Sequence, residues 1–146
     1  MIDSKEIIEA CVNYIERNIN DKITLDDISQ GVGFSKYYLH RMFKALTGQS
    51  IIEYVQARKL SASINELANS NIRMIDIAMD YGFDHEQSHI RAFRKRFGYT
   101  PVKVRSDQIS IDITEKININ DILSINNSIT YKPFYVFKQK FCIAGR

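Results

Sequence analysis

The sequence has no tryptophan and only two cysteines, two prolines and six glycines among its 146 residues. Cys11 and Cys142 lie far apart, and neither belongs to a Cys/His cluster with metal-site spacing, so we expect reduced thiols and no bound metal. No segment approaches the roughly 18 apolar residues of a membrane span, and the N-terminal residues have no apolar signal core. We therefore expect a cytoplasmic protein without a membrane partner.

Catalytic arrangements are also missing. The sequence shows no Ser/His/Asp set, no paired carboxylates and no phosphate-binding loop with a lysine. It therefore predicts no catalytic residues, no cofactor and no enzymatic activity.

The composition is that of a globular protein, with 45% hydrophobic and 25% charged residues. The net charge of +3 is concentrated in one place: the stretch from His85 to Arg105 carries six basic residues and one acid, so the rest of the chain is net negative. Local concentration of positive charge is typical of a polyanion partner such as nucleic acid.

The basic stretch belongs to a helix-turn-helix pattern in residues 73–105. A short helix is followed by a turn at Gly82, and Asp84 is a suitable N-cap for a basic helix over 85–97. On that helix His89 lies on the apolar stripe, which predicts a packed core histidine. A third helix follows, capped by Thr100 with Pro101 in its first turn. Two helices across a short glycine turn, the second one basic, indicate DNA binding.

The N-terminal part has the same organisation. An amphipathic helix with Ser4 as N-cap precedes Thr24, which forms a capping box with Asp27. Gly31 and Gly33 are predicted to supply the turn. Ser35 then caps a helix over 36–46, and an uninterrupted helix of about 18 residues follows within 50–69.

The last 40 residues change character. Ile109, Ile111 and Ile113 alternate with polar residues, which predicts a strand. Residues 131–144 are aromatic and β-branched and predict one or two strands around Lys138–Lys140.

The two helix-turn-helix units form an internal repeat. Asp27, Ile28, Gly33 and Phe34 match Asp76, Ile77, Gly82 and Phe83 at an offset of 49, and Arg41, Phe43, Lys44 and Gly48 match Arg91, Phe93, Arg94 and Gly98 at an offset of 50. A shared core alone would require only the apolar and turn positions. The duplicated outward arginine indicates that the duplicated surface is used.

Residues 24–48 (TLDDISQGVGFSKYYLHRMFKALTG) and 75–101 (IDIAMDYGFDHEQSHIRAFRKRFGYTP), joined by 53–63 (EYVQARKLSAS), resemble the AraC/XylS-type DNA-binding domain. The resemblance implies an all-α, seven-helix domain and a transcription regulator, usually an activator that contacts RNA polymerase. The implied organisation is a DNA-binding domain over 1–106, with units at about 5–49 and 70–106 and a linker helix at about 50–69. The first unit is especially similar to the branch with a C-terminal GyrI-like effector-binding domain. Residues 107–146 would then be a linker and the opening strands of an incomplete effector domain, with strands near Phe134–Phe137 and Phe141–Gly145.

The resemblance also implies the site. Arg41 and Arg91 occupy the family's base-reading positions, and a guanidinium matches guanine O6 and N7. The remaining predicted DNA contacts are Ser35, Lys36, Tyr37, His40, Lys44, Gln87, Ser88, Arg94 and Lys95. Of these, the four basic residues suit phosphates, and Gln87 suits adenine; Tyr37 and His40 suit base edges or thymine methyl groups.

The helices over 36–46 and 85–97 are predicted to enter successive major-groove segments of double-stranded DNA, which lie about 34 Å apart. Each site residue has an ordinary alternative, as a solvated surface group or, for Ser88, a core hydroxyl. Two other functions stay open: a protein-interaction module without DNA binding, and the DNA-targeting module of an alkyl-transfer enzyme that uses Cys11 or Cys142.

Overall fold

The computed structural model describes residues 3–118 and 120, and the backbone of 138–141. Seven helices account for most of this described part: α1 (Ser4–Arg17), α2 (Leu25–Val32), α3 (Lys36–Thr47), α4 (Ile51–Asn69), α5 (Met74–Asp80), α6 (Glu86–Phe97) and α7 (Pro101–Asp107). Two short strands follow, β1 (Ile111–Thr114) and β2 (Lys138–Phe141). The predicted all-α, seven-helix fold is confirmed.

The helices begin where local capping chemistry allows. Thr24 and Asp27 form the predicted capping box at α2, and the Thr100 hydroxyl accepts a hydrogen bond from the Lys103 amide at 3.2 Å with Pro101 in the first turn of α7. Two cap predictions are wrong. Asp3, not Ser4, caps α1. At α6 the N-cap is His85, which makes no side-chain cap hydrogen bond.

Asp84 has a different partner from the one predicted. Its carboxylate accepts a hydrogen bond from Lys22 Nζ at 2.6 Å, in an exposed ion pair between residues 62 positions apart. The neighbouring lysine holds the pKa of Asp84 below its usual range. Helix α6 begins at Glu86, one residue later than an Asp84 cap would place it.

The chain divides into two compact units. The first holds the described residues within Met1–Asn18, Ile23–Val55 and Lys116–Phe137; the second holds those within Ile19–Lys22, Gln56–Glu115 and Lys138–Arg146.

The core of the first unit is built on α1, whose buried face consists of Ile7, Ile8, Cys11, Val12 and Ile15. Gly31 belongs to α2 and not to the turn after it, which corrects the sequence prediction. A Cβ at this position would lie 2.4 Å from the Tyr14 ring, so only glycine allows this approach. Gly33, in the left-handed region at φ +85°, alone supplies the turn.

The second unit has its own apolar cluster, formed by Leu60, Ile64, Leu67, Met74, Ile77, Tyr81, Phe93, Val104 and Ile111. Ile111 lies on β1, which confirms the strand predicted from the alternation of Ile109, Ile111 and Ile113. The strict alternation fails, however, because both ends of β1, Ile111 and Thr114, are buried while Ile113 is half-buried. β1 pairs antiparallel with β2, with Ile111 opposite Phe141 and Thr114 opposite Lys138. The strand predicted near Phe134–Phe137 lies outside the described residues.

A loop of the second unit supports its helix-turn-helix turn. This supporting loop, Ile19–Lys22, is bound by Lys59 of α4, whose Nζ donates to the carbonyls of Ile19 at 2.8 Å, of Asp21, and of Tyr81 in the turn at 3.0 Å. Gly82 has φ +79°, and a Cβ there would lie 2.6 Å from the Asp21 carbonyl oxygen. The turn before α6 is therefore fixed by backbone contact with the supporting loop.

Candidate nucleic-acid interface

Helix α3 separates a buried face from an exposed basic one. Ser35 caps the helix, as predicted, by accepting a hydrogen bond from the Tyr38 amide at 3.2 Å. Leu39, Met42 and Phe43 are buried. The exposed face carries the five predicted contact residues of this helix: Lys36, Tyr37, His40, Arg41 and Lys44. Their spacing at i, i+1, i+4, i+5 and i+8 places all five on one side of α3.

Tyr37 and Arg41 form a pair on that face. The Arg41 Cζ lies 5.5 Å from the centroid of the Tyr37 ring, within the range of a cation–π contact. Tyr37 is 72% exposed, so the contact orients the guanidinium without burying it. The pair presents an aromatic ring and a planar hydrogen-bond donor side by side, groups that suit base methyls and base edges.

The charge on the α3 face is partly balanced. Lys36 Nζ lies 3.0 Å from Asp26 Oδ1 in an ion pair whose side chains are both more than half exposed. Such a pair contributes little to stability and is easily exchanged for another anion. Arg41 and Lys44 form no ion pair with any residue the structure describes.

Helix α6 has the same division. His89 and Phe93 are buried, whereas Gln87, Arg91, Arg94 and Lys95 are exposed. These four residues fall at i, i+4, i+7 and i+8 and share one side of the helix. Ser88 is only half-buried and lies beside that face, so it is the least exposed of the predicted contacts. The structure thus places the predicted residues on two exposed helix faces, one in each unit.

His89 is a core residue, as predicted. Its ring packs against Phe83 with centroids 5.1 Å apart, and it is 0% exposed. Burial lowers the pKa of His89 to about 4, so the ring is neutral at pH 7. Among the described residues no group of three or more His, Cys, Asp or Glu side chains could hold a metal ion.

Cys11 does not suit nucleophilic chemistry. It is fully buried on α1, and burial raises the pKa of its thiol to about 11. Because the thiolate is the reactive form, this residue does not fit the alkyl-transfer alternative. Cys142 lies outside the described residues.

Sequence reasoning missed the role of Arg96. This side chain, on α6, donates from Nη2 to the Thr114 hydroxyl of β1. The internal repeat could have indicated this role, because at the offset of 50 Arg96 corresponds to Leu46, which is half-buried. A basic residue at an otherwise apolar position indicates a specific polar partner.

A family model described as a helix-turn-helix domain matches residues 28–107. The transcriptional activator AarP of Providencia stuartii is 36% identical over 95 residues, which cover 65% of this chain and 70% of AarP. The chain belongs to the AraC-type helix-turn-helix family. It is a DNA-binding transcription regulator by family, and several of the relatives it matches are named as transcription regulators.

Two further comparisons agree with this membership. The Right origin-binding protein of Escherichia coli K12 is 38% identical over 104 residues, which cover 71% of this chain and 36% of that protein. The chain therefore spans about a third of that relative. A crystal structure of an AraC-type transcriptional regulator from Chromobacterium violaceum matches with a TM-score of 0.66 and 26% identity, over 71% of this chain and 93% of that one. Within the described residues, no helix has the length and apolar character needed to cross a bilayer.

Proposed function

We propose that α3 and α6 are both recognition helices and enter successive major-groove segments of one DNA duplex. The observation that carries this proposal is the duplicated exposed face. Arg41 and Arg91 occupy equivalent positions of the repeat, both are exposed, and neither forms an ion pair with a described residue. An AraC-type regulator needs a DNA-contacting surface, and these are the faces on which the two helices are not packed.

The residues that contact bases are those whose side chains can form hydrogen bonds or apolar contacts with base edges. Arg41 and Arg91 donate to guanine O6 and N7, and Gln87 pairs with the edge of adenine. Tyr37 and His40 contact base edges or thymine methyl groups. Ser88 contacts a base edge or a phosphate from the side of the α6 face.

Phosphate binding positions the protein without specifying sequence. Lys36, Lys44, Arg94 and Lys95 have this role, and Lys36 exchanges Asp26 for a phosphate on binding. Ser35 joins them because its hydroxyl accepts the cap hydrogen bond from Tyr38 and still has a hydrogen to donate.

The regulator acts as an activator that contacts RNA polymerase, a proposal supported by the similarity to AarP, which is named an activator. A small-molecule effector would act through a GyrI-like domain that begins in residues 107–146. Most of the sequence resemblance that supports this effector domain lies in residues outside the described part of the chain. A transcription regulator of this kind would work in the cytoplasm.

Alanine substitution tests the base-reading role. Operators are first selected from random duplexes with the wild-type chain, and affinities are then measured for the operator and for a scrambled duplex. Arg41→Ala and Arg91→Ala are each expected to lose about 1–3 kcal/mol of discrimination between the two duplexes, because each removes two hydrogen bonds to one guanine.

Arg17→Ala is the matched control, since Arg17 is an exposed arginine at the end of α1, outside both faces. It removes the same charge and is expected to leave discrimination unchanged. If Arg41→Ala and Arg91→Ala weaken binding to both duplexes equally, the arginines contact phosphates and the base-reading assignment is wrong.

A further inference from the structure

Strand β1 lies beyond the residues matched by the family model, yet it contributes to the unit that contains α6. Ile111 is 2% exposed and belongs to the same apolar cluster as Phe93 of α6. Thr114, at the other end of β1, is 0% exposed. A buried threonine requires hydrogen-bond partners for its hydroxyl as well as for its backbone.

All three polar groups of Thr114 are bound. Its amide donates to Ser61 Oγ at 2.8 Å, and its carbonyl accepts from Arg58 Nη1 at 2.5 Å. Its hydroxyl accepts from Arg96 Nη2. Two of these partners lie on α4 and the third on α6. Thr114 is therefore held in place by α4 and presents its hydroxyl to the last turn of α6.

Arg96 approaches Thr114 from the side of α6 that is turned away from the exposed basic face. At about 100° per residue, Arg96 lies about 140° around the helix from Arg91 and about 180° from Gln87. Arg96 therefore does not share the face of the predicted base contacts. The hydrogen bond between Arg96 and Thr114 therefore holds α6 on the side opposite the predicted base contacts.

We infer that Thr114 is a positioning residue for DNA recognition, which sets the rotation of α6 through Arg96. Helix rotation matters because side-chain tips lie about 6 Å from the helix axis, so a turn of about 10° moves them by about 1 Å. Hydrogen bonds to base edges tolerate only a few tenths of an ångström. Thr114 itself makes no contact with DNA.

This inference rests on the proposed reading role of α6, and it makes a prediction that a purely structural role does not. Loss of the Thr114 hydroxyl should impair discrimination only at the base pairs read by α6. A threonine that merely stabilised the fold would affect the base pairs read by α3 and α6 alike, or neither.

The test uses the full chain and a set of duplexes derived from the selected operator. The base pairs read by each helix are first assigned from the positions at which Arg41→Ala and Arg91→Ala lose discrimination. Thr114→Val, which keeps the shape and removes the hydroxyl, is then measured against duplexes altered in one half-site at a time. We expect a 3- to 10-fold loss of discrimination at the α6 half-site and less than a 2-fold change at the α3 half-site.

Three further variants locate the effect. Thr114→Ser retains the hydroxyl and should restore discrimination at the α6 half-site. Arg96→Met should produce the same half-site defect. The double variant Thr114→Val/Arg96→Met should be no worse than Arg96→Met alone in discrimination, since both changes remove one hydrogen bond.

Two results would overturn the inference, and they are distinguishable. If Arg91→Ala loses base discrimination while Thr114→Val keeps it at both half-sites or loses it equally at both, α6 is a reader that Thr114 does not position. If Arg91→Ala itself keeps full discrimination, α6 is not a reader, and both the proposed role of that helix and the inference fail.

Discussion

Replacing Lys59 by methionine tests whether the supporting loop and the turn before α6 depend on one buried ammonium group. Lys59 is 4% exposed and donates to the carbonyls of Ile19, Asp21 and Tyr81. Methionine has a similar length and no donor. The substitution therefore leaves three carbonyl oxygens without this partner, that of Tyr81 buried and those of Ile19 and Asp21 partly buried, while it keeps most of the apolar contacts of the side chain.

Two opposing terms set the magnitude. An orphaned buried carbonyl costs about 1–3 kcal/mol, and a partly buried one costs less because water can reach it, so about 2 kcal/mol for Tyr81 and about 1 kcal/mol for each of the other two give about 4 kcal/mol. Against this, burial of the ammonium lowers the pKa of Lys59 from 10.5 to about 8, a penalty of about 3 kcal/mol that methionine removes. The net expectation is a loss of about 1 kcal/mol in the free energy of unfolding at pH 7.

Urea unfolding followed by far-ultraviolet circular dichroism measures this loss. With a slope of about 1.5 kcal/mol per molar urea, the midpoint should fall by about 0.7 M. Lys44→Met is the matched control, because Lys44 is exposed on α3 and its replacement should change stability by less than about 0.5 kcal/mol. A Lys59→Met midpoint equal to or above that of the wild type would show that the three hydrogen bonds do not outweigh the cost of the buried charge.

Two further predictions concern the surroundings of α6. Burial lowers the pKa of His89 from 6.5 to about 4. As the pH drops below 6.5, the histidine of the unfolded chain binds a proton before the buried histidine does, so the folded state loses stability. The free energy of unfolding should therefore fall by about 2 kcal/mol between pH 7 and pH 5. Urea midpoints across that range should show this loss in the wild type and not in His89→Leu, and equal slopes in both would contradict it. Gly82→Ala should cost about 2–4 kcal/mol because its Cβ meets the Asp21 carbonyl, whereas Gly98→Ala, with φ +85° and open space, should cost only about 1 kcal/mol in the same unfolding assay. Equal losses in the two glycine variants would show that the contact with Asp21 is unimportant.

Features that depend on neighbouring residues were predictable from the sequence. The caps at Thr24, Ser35 and Thr100 follow from side chains that reach an amide three positions along the chain. The exposed faces of α3 and α6 follow from helical periodicity, and the repeat identifies their equivalent arginines. The roles assigned to these residues in DNA contact stay predictions.

Features that depend on distant partners were not predictable. Aspartate commonly caps helices, but the carboxylate of Asp84 binds Lys22, which lies 62 positions away in the sequence. Glycine is common in turns, but Gly31 is required for another reason: the ring of Tyr14 leaves no room for a Cβ at this position. The partners of Lys59 and Arg96 were not predicted, because nothing within several residues of either side chain reveals them. In each case the tertiary structure decides between two locally reasonable outcomes.

The supporting loop also limits how the chain can be divided. Residues 19–22 lie between α1 and α2 in the sequence, yet they belong to the unit that contains most of α4 together with α5 and α6. A fragment that starts at α4 would therefore lack two of the three carbonyls that bind Lys59, although it contains a complete helix-turn-helix sequence. For the same reason, a recombination event that exchanges only the second helix-turn-helix would place it beside another protein's loop. The second unit is therefore expected to tolerate point changes on the exposed α6 surface better than exchange of its helix-turn-helix as a whole.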